Sequence, residues 1–314
     1  MEDNKKPKLL IVTGPTAVGK TELSIALAKK YNGSIISADS MQVYRYMDIG
    51  TAKIMPEEMQ GIPHYLVDVL DPSEEFNVVR FQQMAKEAIQ DIYAKGRLPI
   101  VVGGTGFYIQ ALLRDIDFEE TQKETVYREE LTAFAHTHGA KALHDKLRQV
   151  DEKSAAAIHP NNIKRVIRAL EFYKETKTPI SEHNEEQQQR TSPYDFRYFV
   201  LNQNRSVLYE RIEQRIDLML KQGLIDEVAH LRDMGYTRDM ISMQALGYKE
   251  ILDYLDGVTS LEEAVYILKR DTRHFAKRQL TWFRREPDVI WLDKENYPTT
   301  KELMEQISTH LSYL

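Results

Sequence analysis

The 314-residue chain contains no cysteine, which excludes disulfides and any thiolate metal centre. No apolar run approaches the roughly 18 residues that a membrane helix needs. The first residues show no charged-then-apolar leader pattern. A cytoplasmic protein with no membrane partner is therefore expected. Nine histidines are present, but none stand at metal-ligand spacing. His136 and His138, two apart, would point to different faces of a helix. Positive charge is not in excess either: 42 Lys and Arg against 48 Asp and Glu give a net charge of −6. That balance argues against a whole-surface nucleic-acid binder and leaves room only for a local basic groove. Internal repeats and low-complexity tracts are absent. A hydrophobic fraction of 42% is ordinary for a globular protein. The length allows one large domain or two, at roughly 150 residues each.

The strongest positive signal is Gly14-Pro15-Thr16-Ala17-Val18-Gly19-Lys20-Thr21, directly after the apolar run Lys8–Val12. It fits the P-loop pattern G-x-x-x-x-G-K-[ST] in a strand–turn–helix context. Glycines let the backbone wrap around phosphate oxygens with amide N–H groups pointing inward. The following helix presents its positive end to the anion. Lys20 adds a mobile charge and the Thr21 hydroxyl can ligate Mg²⁺. The pattern says that a polyphosphate binds, and nothing about which one.

The first third alternates strand and helix. Strands are expected at Leu9–Thr13, Ser34–Ala38, His64–Leu70 and Leu98–Val102, and helices at Thr21–Lys30 and Val78–Lys95. Such alternation implies a parallel sheet, with ligands at the carboxyl ends of its strands. Gly14, Asp39 and Thr105 all fall there. From about Asp117 to Tyr194 charged helical stretches take over (Glu119–His138, Lys141–Val150, Asn162–Thr176). Strand character returns at Tyr198–Leu201, helices follow, and Val289–Leu292 is a late strand able to rejoin the sheet. The expected fold is α/β: a P-loop NTPase-like parallel sheet core over 1–116 and 195–314, flanked by helices, with a helical insertion over 117–194.

An ordinary triphosphatase also needs a second acid at the end of a neighbouring apolar strand. Ile100-Val101-Val102 ends in Gly103 instead, which counts against a motor or GTPase. The nearest acid is Asp39. It can hold Mg²⁺ through water, act as a general base, or simply cap a helix. Gln42, close by, can pair with an adenine edge. Gly103-Gly104-Thr105-Gly106 places glycines and a hydroxyl at a strand end, suited to close approach of a substrate or to a turn. Arg165 and Arg168 share a helix face with Lys164 beside them and suit phosphate contacts, while Val166 and Ile167 show that this helix is packed. Arg211 and Arg215, four apart, can clamp a pyrophosphate or pair within their helix to Glu210 or Asp217. Lys269–Arg285 holds seven Lys or Arg against one acid, Asp271, with Phe275, Trp282 and Phe283 interleaved. Cations for phosphates and aromatics for stacking are what a nucleic-acid groove needs.

Together these segments, with Asp39–Tyr44, Gly103–Tyr108, His159–Asn162, Gly247–Glu250 and Lys277–Arg284, resemble the tRNA dimethylallyltransferases (tRNA isopentenyltransferases). The bacterial form is the nearer one, since eukaryotic relatives often carry a cysteine-bearing zinc finger. The resemblance implies transfer of a dimethylallyl group from dimethylallyl diphosphate to the N6 amine of the adenosine 3′ to the anticodon, in tRNAs reading codons that begin with U. Pyrophosphate is released. It implies a P-loop, Gly14 to Thr21, that grips an isoprenoid diphosphate, with Mg²⁺ on Thr21. Asp39, Lys20, Thr105 and Arg215 would be catalytic. The tRNA anticodon stem-loop would meet Asp39, Ser40, Met41, Gln42, Thr105, Arg128, Lys164, Arg165, Val166, Ile167, Arg168, Lys277, Arg278, Gln279, Trp282 and Arg284. A monomer is expected. Adenylate isopentenyltransferase and P-loop small-molecule kinase remain the alternatives at this stage.

Overall fold

A computed structural model describes residues 6–118 and 126–311. The chain divides into two compact units, Met1–Leu113 with Pro193–Leu314, and Arg114–Ser192. The first holds β1 (Lys8–Thr13), β2 (Gly33–Ser37), β3 (His64–Tyr65), β4 (Leu98–Gly103), β5 (Asp195–Asn202) and β6 (Val289–Asp293), of which β1 and β4 show the near-continuous apolar runs of strands covered on both faces. These strands make one sheet in the order β3-β2-β4-β1-β5-β6, and every pairing is parallel. Leu9, Leu10, Ile11 and Val12 of the central β1 have no exposed surface.

Around the sheet run α1 (Lys20–Lys30), α2 (Val78–Ala94), α3 (Gly106–Leu113), α8 (Arg205–Lys221), α9 (Leu224–Asp233), α10 (Tyr248–Leu255), α11 (Leu261–Phe283) and α12 (Thr300–Leu311). The expected α/β core is borne out. One strand is shorter than its sequence suggests. Over His64–Leu70 only His64–Tyr65 is extended, because Leu66 (φ 62°) and Asp68 (φ 59°) are left-handed. The chain then meets Tyr44 again through a single bridge at Leu70.

The second unit holds α4 (Val126–Val150), α5 (Glu152–Ala157), α6 (Ile163–Thr176) and α7 (Ile180–Gln189). Gly139 breaks α4 with φ 85° and ψ 160°. Leu131, Leu143, Leu147, Val166, Ile167 and Leu170 form a separate core. The start of the expected helix Glu119–His138 lies outside the described residues. None of the described helices is long and apolar enough to cross a membrane.

Candidate active site at the carboxyl edge of the sheet

Parallel pairing puts the ends of all strands on one edge, where ligands bind in open α/β sheets. At the end of β1 the P-loop turns through Gly14 (φ 142°), Ala17 (φ 63°) and Gly19 (φ 97°). A Cβ on Gly14 would sit 2.5 Å from the Leu201 carbonyl oxygen, so only glycine passes there. Lys20 folds back, its Nζ donating to the carbonyls of Gly14 (3.0 Å) and Pro15 (2.8 Å). The exposed Thr21 hydroxyl has no hydrogen-bond partner among the described residues.

On the same edge, β2 ends at Ser37 and Asp39 follows two residues later. The Asp39 Oδ1 accepts from the N–H of Met41 (2.8 Å) and Gln42 (3.3 Å). No helix follows, so the helix-capping reading falls: the carboxylate closes a turn instead. Gln42 Nε2 donates to the carbonyls of Thr51 and Ala52, and Ser40 and Met41 are half-buried in the same turn. At the end of β4 the Thr105 N–H donates to the Ala38 carbonyl (3.2 Å), which sets Thr105 next to Asp39. The glycines around it serve packing inside the protein. A Cβ on Gly103 would collide with the Ala38 backbone, one on Gly104 with Gln279, and one on Gly106 with Trp282. Close approach is indeed required there, and the approaching groups are the chain's own.

The third wall is cationic. Arg211 and Arg215 on α8 pair with neither Glu210 nor Asp217; Glu210 accepts from Gln214 and Asp217 binds Lys269. Arg215 repels Lys20, and Arg211 repels Arg215. The Arg211 guanidinium also lies 3.6 Å from where a Cβ on Gly19 would stand, so cationic charge gathers at the P-loop. Burial first, then Arg215, lowers the Lys20 pKa to about 7 against an upward pull from Asp39. The unfolded chain keeps the ordinary lysine value, so it binds the extra proton from about pH 7 upward. Stability is therefore expected to rise with pH from there towards the ordinary lysine range. Urea unfolding at several pH values should show this rise in the wild type and not in Lys20→Met; parallel curves would contradict it.

Two helices carry the residues expected to meet RNA. On α11, Gln279 is only 7% exposed. Its Oε1 accepts from Thr16 N–H (2.9 Å) and its Nε2 donates to the Gly104 carbonyl (3.0 Å). An RNA contact for Gln279 is thus replaced by an internal one, since both ends of its amide are used. Trp282 lies over Gly106 and meets the Phe107 ring edge-on. The basic run is also smaller in effect than in sequence. Lys269, Arg270 and Arg273 are ion-paired to Asp217, Asp271 and Glu213. The exposed remainder is Lys277, Arg278, Arg284 and Arg285, with Arg278 over the Phe275 ring.

In the helical unit Lys164 and Arg165 are exposed on α6 and Arg168 is half-buried. Val166 and Ile167 lie in the core and offer RNA no side chain. Arg128 is bound in a two-pronged pair to Glu171, 2.8 and 2.7 Å, whose buried carboxylate demands a cation. This pairing ties α4 to α6 and leaves the Arg128 side chain 40% exposed.

Sequence reading missed Lys294 and Glu227. Lys294 directly follows β6, so the strand-end rule could have flagged it. Its Nζ donates to the Val18 carbonyl at 3.4 Å. Glu227 gave no sequence signal; its carboxylate accepts from the N–H groups of Asp48, Ile49 and Gly50 and from the Tyr248 hydroxyl.

A P-loop, a lone carboxylate and a hydroxyl across from it, on a parallel sheet, define a P-loop-fold group-transfer enzyme. A sequence model of the IPP transferase family matches residues 42–286, and the chain belongs to that family. It is 64% identical over 299 residues to a tRNA dimethylallyltransferase of Lachnoclostridium phytofermentans, covering 95% of this chain and 96% of that one. It is 52% identical to the protein of that name from Halalkalibacterium halodurans, covering 96% and 95%. Among solved structures, a tRNA isopentenylpyrophosphate transferase from Bacillus halodurans aligns with TM-score 0.73 and 49% identity, covering 98% and 97%. A eukaryotic dimethylallyltransferase acting on tRNA aligns with TM-score 0.78 and 33% identity, covering 91% of this chain and 74% of that one.

Proposed function

We propose that this chain transfers the dimethylallyl group of dimethylallyl diphosphate to the N6 amine of the adenosine 3′ to the anticodon in tRNAs reading codons that begin with U. One observation carries the reading: Gln279 ties Thr16 of the P-loop to Gly104, and the next residue, Thr105, donates to the carbonyl of Ala38 just before Asp39, so the polyphosphate grip and the lone carboxylate meet at one place. A kinase would need a second acid for its metal at the end of β4, and glycines stand there.

In the proposed reaction the amine nitrogen attacks C1 of the allyl group, the C1–oxygen bond breaks, and pyrophosphate departs. Asp39 takes the proton that the amine loses. Lys20, Arg211 and Arg215 stabilise the charge gathering on the leaving diphosphate, the electrostatic role that usually dominates. Thr105, tied to the residue before Asp39, supplies a hydroxyl beside the amine or the donor phosphates. Among the described residues no cluster of three His, Asp or Glu could cage a metal. The exposed, unpartnered Thr21 hydroxyl instead fits Mg²⁺ that arrives with the diphosphate and keeps several waters. Such an ion would be held by Thr21 and neutralise phosphate charge. Lys277, Arg278 and Arg284 of α11, and Lys164, Arg165 and Arg168 of α6, are the proposed tRNA contacts.

Purified protein with labelled donor, Mg²⁺ and unmodified tRNA should label the RNA at that adenosine. Transfer to free AMP but not to tRNA would move the chain to the adenylate-modifying class, and phosphate transfer from ATP to the kinases.

A further inference from the structure

Lys294 follows β6 and reaches across to the outer end of the P-loop. A Cβ built on Gly19 would lie 3.1 Å from its Nζ and 3.6 Å from the Arg211 guanidinium. Two cationic heads therefore share one side of Gly19, and no carboxylate lies within ion-pair distance of either among the described residues. Glu22 is the acid nearest in effect, and its carboxylate is engaged by the Thr300 hydroxyl. Like charges gathered without a counter-charge raise the energy of the empty site. That cost is recovered when a multivalent anion enters.

The pair Lys20 and Arg215 accounts for charge at the start of α1. Lys294 and Arg211 lie on the other flank, by Val18 and Gly19. Lys20 Nζ is held at the Gly14 and Pro15 carbonyls and Lys294 Nζ at the Val18 carbonyl, so cations stand at both ends of the loop, and a diphosphate has a phosphate to offer each. We propose that Lys294, with Arg211, binds the second phosphate of the donor diphosphate, and so makes the site select a diphosphate over a monophosphate. The inference rests on the proposed isoprenoid-diphosphate reading of the P-loop.

Inorganic pyrophosphate and orthophosphate are the probes, titrated by calorimetry into wild type, Lys294→Met and Lys294→Arg. A charged hydrogen bond is worth roughly 1.5–3 kcal/mol, so Lys294→Met should weaken pyrophosphate binding about tenfold or more. Orthophosphate binding should change less than about threefold, and Lys294→Arg should restore most of the loss. KM for dimethylallyl diphosphate should rise in step. A purely structural lysine, holding the Val18 carbonyl, would instead lower the melting temperature and weaken both anions alike. That outcome, or unchanged pyrophosphate affinity in Lys294→Met, overturns the inference and leaves labelling of tRNA by wild type intact. Wild-type protein that binds no pyrophosphate overturns the inference and the donor assignment together.

Discussion

Asp39→Asn is expected to slow transfer to tRNA by about 10²–10⁴-fold, the usual contribution of a general base, while tRNA binding stays within about twofold of wild type. The geometry makes this substitution clean. Oδ1 of Asp39 holds the N–H groups of Met41 and Gln42, and an asparagine carbonyl can still accept both bonds, each weaker without the charge. The turn is preserved. What the amide loses is the second carboxylate oxygen, which carries no hydrogen bond among the described residues, and with it the negative charge that can accept a proton. Single-turnover transfer of labelled donor measures the rate, and filter binding measures tRNA affinity. A rate loss below tenfold would remove Asp39 from the role of base; a joint collapse of rate and binding would make it a folding residue of the turn.

Glu227→Ala should produce the largest loss of stability. Its carboxylate receives three consecutive backbone N–H groups, from Asp48 (2.9 Å), Ile49 (2.7 Å) and Gly50 (3.0 Å), and the Tyr248 hydroxyl (2.6 Å). Charged hydrogen bonds contribute roughly 1.5–3 kcal/mol each and are not additive. A half-buried group of this kind should cost about 2–4 kcal/mol when removed. For a unit of this size that is a melting temperature lower by about 5–15 °C. Gly50 packs so tightly on the Tyr248 ring that a Cβ there would come within 2.5 Å of it, so no side chain is at hand to fill the gap. The effect should reach the site. The turn held by Glu227 runs on to Thr51 and Ala52, whose carbonyls fix the Gln42 amide. Glu227→Ala is therefore expected to raise KM for tRNA with little change in pyrophosphate affinity. Differential scanning calorimetry and steady-state kinetics check the two halves; a shift under about 1 °C would show that solvent satisfies the freed amides.

The P-loop, Asp39 and Thr105 were legible in the sequence because each is a short local pattern standing where an apolar run stops. The parallel sheet followed from the same runs. Other features depend on partners far along the chain. Gln279 sits in a basic stretch and reads as an RNA contact, yet its partner is the Thr16 amide, 263 residues away. Lys269 and Arg273 look free until α8 packs alongside and supplies Asp217 and Glu213. The strand expected over His64–Leu70 stops after Tyr65 because Leu66 and Asp68 turn left-handed, which the apolar pattern alone does not signal. Arg128 stands in a charged helix whose buried partner, Glu171, lies on another helix.

Gln279 also limits how this enzyme can be taken apart. One side chain joins the P-loop to the turn after β4, and it is rooted in α11, between Arg278 and the Trp282 that covers Gly106. The P-loop here is not a portable cassette. Grafting Gly14–Thr21 into another sheet would leave the Thr16 amide without its partner. Redesigning α11 for a different RNA would have to leave Gln279 in register, so the proposed acceptor face and the proposed donor loop can only be re-engineered as one part.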